Sequence, residues 1–161
     1  MWLSKTRALL VVAALAGCGF TPVYGPNGAA SGLRGTVEVE EPDNRAEYHL
    51  VVRLEERLGQ PSAPVYDLAY KITTRTEQIG ITPDQETLRY NVTGFADYAL
   101  TDRATGEEVT AGRVTSFTAY SATGSTVATL AADRDAERRL MVILADQIVT
   151  RLLSSAGDWR P

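Results

Sequence analysis

The sequence predicts an α+β fold, in which two helices pack on one face of a four-stranded, mainly antiparallel sheet in the order β-α-β-β-β-α. Two segments, residues 46–58 and 133–155, carry apolar residues at helical spacing. Three consecutive segments between them alternate apolar and polar residues, which is the period of a strand with one buried face. Because each helix and each strand has one apolar side, a single layer of helices on a single sheet buries all of them.

The first strand and the first helix open this pattern. Residues 35–40 alternate apolar and polar side chains, and Asp43 or Asn44 can then cap a helix. Leucines spaced four residues apart lay one stripe along this helix, and Gly59 ends it. The single histidine, His49, lies off the leucine stripe. That position favours a solvated helix surface over catalysis or metal binding.

Three strands follow, and they can form an antiparallel meander. The first begins at Val65, and residues 78–85 contain glycine and proline, which predicts a loop. The next strand spans residues 88–100 and is interrupted by Gly94, which indicates either a bulge or a close backbone approach. Residues 109–120 form the last strand. Its alternation is weaker than that of its neighbours, so the sequence specifies its register least.

The longest helix is predicted at the C-terminus. Apolar residues between Ala136 and Leu152 form a broad face, and Asp133 can serve as the N-cap. Residues 126–132 leave room for an earlier turn. Gly157 lies just past the expected end of this helix.

A lipidation signal occupies the N-terminus. Lys5 and Arg7 precede a short apolar run that ends in Leu-Ala-Gly-Cys at Cys18, the only cysteine of the chain. This is the layout of a secretory signal peptide. Its ending resembles the lipobox of bacterial lipoproteins, in which the cysteine is acylated and becomes the first residue of the mature chain. The alternatives are an ordinary signal peptide or a transmembrane helix, but the apolar run is shorter than the about 20 residues that span a bilayer.

The sequence therefore divides into four parts. Residues 1–17 form the predicted signal peptide, 18–32 a lipidated linker, 33–155 one α+β domain and 156–161 a C-terminal tail. Loss of the leader, with its two basic residues, changes the net charge from −4 to −6. A negative chain argues against non-specific binding of nucleic acid. No second apolar run of membrane length follows in the sequence, so we expect the domain to be tethered to a membrane and not to span it.

The chain offers few groups that could converge for catalysis. It has no nucleophile elbow, no His-Glu-x-x-His, no Cys/His metal spacing and no glycine-rich phosphate loop. The adjacent pairs Glu55-Glu56 and Glu107-Glu108 point in different directions. We therefore expect no enzyme, no metal and no cofactor, but a binding module. Polar side chains on the outer face of the middle strands could meet an anionic lipid head or a protein wall, although ordinary solvation is the simpler interpretation: Lys71, Arg75, Arg89, Asn91, Thr93 and Asp97.

The residues after the lipobox carry a resemblance to a known family. The run Cys-Gly-Phe-Thr-Pro-Val-Tyr-Gly from Cys18 to Gly25 resembles the start of mature LptE lipoproteins, and the chain length and element order are similar too. The resemblance implies two helices on one side of a four-stranded sheet and no enzymatic activity. It also implies a plug inside the outer-membrane barrel LptD, which helps that barrel fold and binds lipopolysaccharide during delivery to the outer leaflet.

The resemblance also implies candidate site residues. Ligand binding in LptE is attributed to basic side chains, and Arg75 and Arg89 flank the predicted loop at 78–85, so they are candidates for phosphate contacts. Lipidation at Cys18 would anchor the protein in the outer membrane, with the domain on the periplasmic side or inside the barrel lumen. The expected partners are an LptD-like barrel, lipopolysaccharide and the membrane. The alternative is a free, periplasm-facing binding or tethering lipoprotein without a barrel partner.

Overall fold

The computed structural model describes Gly28 and residues 32–81, 87–122 and 125–159. The predicted signal peptide and Cys18 lie outside the described residues, as does most of the linker. The predicted α+β fold and its element order are confirmed. The elements are β1 (Val37–Val39), α1 (Arg45–Leu58), β2 (Tyr66–Ile81), β3 (Thr87–Asp102), β4 (Glu108–Ser121) and α2 (Thr126–Trp159).

The strands lie in the sheet in the order of the chain. β1 pairs with β2 in parallel, with Val37 opposite Tyr66, and α1 makes the connection between them. β2, β3 and β4 form the predicted antiparallel meander. The predicted loop at 78–85 is too long, because β2 continues to Ile81 and β3 begins at Thr87. Gly80 belongs to the strand and lies at a register shift against β3.

The core lies between the sheet and the two helices. Every second residue of β3 from Val92 to Leu100 is buried, whereas the residues between them are only half-buried. The opposite face of the sheet, which we call the outer face, is covered by no other helix or strand in the described part of the chain. The largest fully buried side chains of the helices are Leu50, Leu54, Leu58, Leu140, Met141, Leu144, Ile148 and Leu152.

A close approach of α2 to the sheet accounts for Gly94. A Cβ atom at this position would lie 2.9 Å from Cδ2 of Leu140 and 3.1 Å from Cδ1 of Leu144. The ladders of β3 with both neighbouring strands are regular around this residue. A bulge at this glycine is therefore wrong. The backbone of Gly94 is closely approached, by leucine side chains of the helix and not by another backbone.

Side-chain and backbone caps fix both ends of α1. The Asn44 side chain accepts a hydrogen bond from the Glu47 N–H at 3.0 Å, and the Glu47 carboxylate accepts one from the Asp43 N–H at 2.8 Å. This arrangement resembles a capping box, but Glu47 accepts from the N–H of the residue before the N-cap and not from that of the N-cap itself. Gly59 has a φ of +80° and donates its N–H to the Glu55 carbonyl at 2.8 Å. Asn44 is thus the N-cap, and the predicted end at Gly59 is confirmed.

α2 begins earlier than the expected N-cap. Its first residue is Thr126, seven residues before Asp133, so the earlier turn that the sequence allowed is present. The Ser125 hydroxyl accepts a hydrogen bond from the Ala128 N–H at 3.1 Å and so caps the helix.

α2 also ends later than expected. It continues through Gly157 to Trp159, so the predicted boundary between domain and tail at residue 156 falls inside a helix. The Trp159 ring packs edge-on against Tyr66, with ring centroids 5.4 Å apart. Its indole Nε1 also donates to the Ser155 hydroxyl at 3.0 Å. These contacts hold the last turn in place although it contains a glycine.

α2 is the central helix of the core. It is the one described helix long and apolar enough to cross a membrane, but 44% of its most apolar 18-residue stretch is buried in the domain. It packs on β3, β4 and α1. Asp146 joins it to α1 through ion pairs of 3.0 Å with Arg53 and 3.3 Å with Arg57. Its apolar surface is therefore that of a core helix.

The sequence predicts a solvated His49, but the structure shows that this side chain is not fully solvated. It is half-buried on α1, and its Nε2 atom is buried with no hydrogen-bond partner among the described residues. The Tyr48 ring lies edge-on to it, with ring centroids 5.8 Å apart. A residue off the leucine stripe thus still contributes buried surface.

Tyr70 is expected to ionise late in an alkaline titration. Burial raises the pKa of Tyr70 to about 12, and the carboxylates of Glu47, Glu40 and Asp43 add to the effect. Because the pKa is raised in the folded state, this contribution to stability is present below about pH 10, the usual pKa of tyrosine, and is lost as the pH rises toward about 12. Tyrosinate absorbance should therefore end in a step near pH 12 that Tyr70→Phe removes.

The exposed Tyr48 provides the matched control for this titration. Tyr48→Phe should leave the late step intact. A late step that survives in Tyr70→Phe would show that another tyrosine carries it.

Candidate functional site

One end of the sheet collects the features of a binding surface, and we call it the distal end. The meander brings its strands together, because Arg75 on β2 is opposite Thr93 on β3, which in turn is opposite Phe117 on β4. The first turns of α2 follow β4 directly and join the same end. The distal end comprises residues 75–81, 87–93, 115–121 and 125–134.

Both basic candidates lie at the distal end, on the outer face. Arg75 is opposite Thr93, and Arg89 lies four residues earlier on the same strand as Thr93, opposite Ser121. Cross-strand partners and residues an even number apart share a face of a sheet. The two arginines are both exposed and are separated by about 13 Å along the strand direction. The structure thus places them on one surface but not in contact.

The arginines at the distal end of the outer face differ in their ion pairing from the arginines elsewhere on that face. Arg113 donates to both carboxylate oxygens of Asp97, and this hydrogen bonding holds the pKa of the Asp97 carboxyl below its usual range. Arg103 forms ion pairs of 2.9 Å and 3.0 Å with two carboxylates. Arg75 and Arg89 make no ion pair with any described residue. Lys71 on the same face also makes no ion pair with a described residue, but it lies opposite Asp97. The distal end of the outer face thus holds two arginines without an ion pair to any described residue, with Glu77 between their rows.

Exposed apolar side chains accompany this charge. Phe117 is 67% exposed, in the same cross-strand row as Arg75 and about 10 Å from it across two strand spacings. On α2, Val127 is 80% exposed, and Leu130 lies three residues further along the same side of the helix. Ile79 is also exposed near the end of β2. Phe117 therefore shares the outer face with the arginines, whereas Val127 and Leu130 lie on the helix layer at the same end of the domain.

The sequence reasoning missed this apolar component. Phe117 lies in the strand with the weakest alternation, and it is flanked by the polar residues Ser116 and Thr118. The available signal was a large aromatic residue between two hydroxyl side chains in a strand. In the structure Thr118 faces the core and Phe117 faces outward. Val127 and Leu130 gave no signal, since the predicted helix began after them.

The chemistry that this surface can perform is recognition. In the described part of the chain, no three His, Cys, Asp or Glu side chains are grouped closely enough to hold a metal ion. The distal end instead combines cations, which bind phosphates and carboxylates by charge-assisted hydrogen bonds, with exposed apolar side chains. This pairing suits an amphiphile with an anionic head. The fold and this surface define a small α+β binding domain with one open sheet face.

Comparison with known families identifies the domain. The family model described as LptE, lipopolysaccharide-assembly, matches residues 34–152. The chain therefore belongs to the LptE family of lipopolysaccharide-assembly lipoproteins. The matched residues include every strand, all of α1 and most of α2, so the resemblance seen near Cys18 extends through the domain.

Solved structures support the fold. A candidate lipoprotein from Caulobacter crescentus CB15 has a TM-score of 0.66 and 25% identity, over 80% of this chain and 96% of that one. The rare lipoprotein B from Shewanella oneidensis has a TM-score of 0.56 and 15% identity, over 76% and 96% of the two chains. A minor lipoprotein from Acinetobacter baumannii has a TM-score of 0.53 and 20% identity, over 74% and 90%. No curated protein sequence matches the chain.

Proposed function

We propose that this protein is an outer-membrane lipoprotein that plugs the lipopolysaccharide-exporting β-barrel LptD, assists its assembly and binds lipopolysaccharide during delivery to the outer leaflet. The match of the LptE family over residues 34–152 carries the proposal. Lipidation at Cys18 would confine the domain to a membrane surface, because two or more acyl chains give stable anchoring. We place that surface at the outer membrane.

The distal end supports the ligand part of the proposal. Lipopolysaccharide is an anionic amphiphile, so it requires cations for its head and apolar surface for its acyl chains. Arg75 and Arg89 supply cations that make no ion pair with a described carboxylate, and Phe117 supplies exposed apolar surface on the same face of the sheet. We assign the phosphate contacts to the two arginines.

The outer face supports the barrel part of the proposal. It is polar and carries exposed ion pairs such as Asp97–Arg113. Such a surface can lie against either water or protein. No other described helix or strand covers it. A barrel wall could therefore lie against this face while α1 and α2 keep the core closed on the other side.

Affinity isolation of the full-length protein from its native membranes tests both parts together. The wild-type protein should recover a large β-barrel together with lipopolysaccharide. The variant Arg75→Gln/Arg89→Gln should keep the barrel and lose about tenfold or more of the lipopolysaccharide, since each hydrogen bond to a charged group contributes about 1.5–3 kcal/mol. The matched control, Arg34→Gln/Arg103→Gln, removes two arginines at the opposite end of the sheet and should keep both.

The possible outcomes separate the parts of the proposal. Recovery of the protein alone, without a barrel, would contradict the plug and favour a free lipoprotein. Recovery of the barrel with unchanged lipopolysaccharide in Arg75→Gln/Arg89→Gln would contradict only the assigned phosphate site.

A further inference from the structure

The two edges of the sheet are very different. β1 forms one edge and has three residues, with Pro42 shortly after it. β4 forms the other edge and has 14 residues, none of them proline. The unpaired N–H and C=O groups of a long edge strand are a template for another strand, and proteins usually shorten, charge or cover such edges. β4 is long and carries only two charged residues, Glu108 and Arg113.

Within the described part of the chain, one side chain blocks the β4 backbone. Arg139 of α2 donates to the carbonyl of Ala119 at 3.2 Å, and Asp135 fixes the same guanidinium at 2.9 Å. Alternate residues of an antiparallel ladder orient their backbone groups alike, so the carbonyls of Thr115 and Phe117 face the same side as that of Ala119. No described side chain donates to them. The unguarded stretch of the edge thus lies before Ala119, from residue 111 to 117.

A groove runs along this stretch between β4 and α2. It has a volume of about 630 Å³. In a strand added to β4, alternate side chains would point toward the helix layer and enter this groove. Ile143 is partly exposed there and offers apolar contact. The groove is lined by Arg113, Thr115, Ile143, Asp146, Gln147, Thr150 and Arg151.

The charges of the groove select an acidic occupant. Asp146 is engaged by two arginines of α1, and Arg113 is engaged by Asp97. Arg151 makes no ion pair with any described residue. A second copy of the chain, paired through the middle of β4, would bring Arg151 toward the same residue of its mate, and this like-charge contact disfavours such a dimer.

We propose that the edge of β4 from residue 111 to 117 accepts an extended acidic segment of another protein as a fifth strand. Main-chain hydrogen bonds to β4 would hold the segment, and a carboxylate of the segment would pair with Arg151 in the groove. This site does not use Arg75 or Arg89, although its residues 115–117 also belong to the distal end.

Hydrogen exchange of the full chain with defined peptides tests the proposal. The probe is a capped peptide of alternating valine and threonine, in which glutamates replace two residues of one face. Its controls are the same peptide with lysines instead of glutamates and the same peptide with alternate amides methylated. We expect the glutamate peptide to slow exchange at Arg113, Thr115 and Phe117 at least tenfold, and both control peptides to have little effect.

Variants of the protein test the role of charge. Arg151→Glu should weaken binding of the glutamate peptide at least tenfold and strengthen binding of the lysine peptide. The matched control is Arg134→Glu, an exposed residue of the same helix at the distal end, which should leave both affinities unchanged.

Three results would overturn the proposal. Unchanged exchange in β4 at saturating glutamate peptide would show that the edge accepts no strand. Equal binding of the methylated peptide would show that the groove binds side chains without adding a strand. Protection of β4 that rises with protein concentration in the absence of peptide would identify a second copy as the occupant.

Discussion

Replacing Leu140 with alanine should lower the free energy of unfolding by about 3 kcal/mol, within the usual range for a fully buried leucine. Leu140 is fully buried on α2, and its Cδ2 atom would lie 2.9 Å from a Cβ atom at Gly94 of β3. The substitution would leave a cavity there, because Gly94 on the facing strand has no side chain to fill it. Urea denaturation followed by circular dichroism would measure the change.

A second substitution at Gly94 sharpens this prediction. Gly94→Ala alone should destabilise the protein by about 1–3 kcal/mol, because its methyl group would lie 2.9 Å from Leu140 Cδ2. In the Leu140→Ala background that methyl enters the vacated space, so the double variant should be more stable than the sum of the single effects predicts. Leu58→Ala, near Gly35 at the other end of the core, is the control and should add to Gly94→Ala. Additivity with Leu140→Ala would contradict the close contact.

Replacing Cys18, the proposed lipidation site, with alanine should abolish lipidation of the protein. Cys18 is the only cysteine, so no other thiol can receive a lipid. Loss of the anchor removes about 0.8 kcal/mol of membrane binding for each buried methylene group. Cells grown with an alkyne analogue of palmitate should label the wild-type protein and give essentially no label on Cys18→Ala.

The leader supplies the control for this experiment. Ser4→Ala changes the leader without touching the lipobox and should keep full labelling. A Cys18→Ala chain that is still cleaved at its normal site and fractionates as the wild type does would identify an ordinary signal peptide.

Local pattern predicted most of the fold because most of it follows local rules. The stripe of α1, the cap at Asn44 and the glycine at its end each depend on residues within a few positions of one another. The meander followed from alternation alone. The packing at Gly94 was only half predicted, since the choice between a bulge and a close contact depends on a helix more than 40 residues away.

The ends of α2 escaped prediction for two different reasons. At its start, Val127 and Leu130 are exposed, so they add nothing to the apolar face by which the helix was recognised. At its end, the contact of Trp159 with Tyr66 on the first strand of the meander overrides the usual signal of Gly157. A tertiary contact between residues so distant in sequence leaves no local trace.

The candidate site was predicted in part. The sequence indicated Arg75 and Arg89 and the open sheet face, and the structure places both arginines on that face. The loop between them was drawn too long, because glycine and proline were weighed as breakers while Gly80 is accommodated at a register shift. Their contact with lipopolysaccharide stays a prediction. The groove beside β4 could not be predicted from the sequence. Its walls come from a strand and a helix that are distant in sequence, so no local pattern includes both.

The ion pair between Arg53 and Asp146, which joins residues 93 positions apart, has a consequence for biosynthesis. The last helix covers both α1 and the inner face of the sheet, so these surfaces have no cover until the C-terminal segment is available. Everything before residue 126 must wait, with its leucines exposed to solvent, for the final fifth of the polypeptide. Such a chain is vulnerable to aggregation during this interval. We expect its yield to depend on chaperones more than its size suggests.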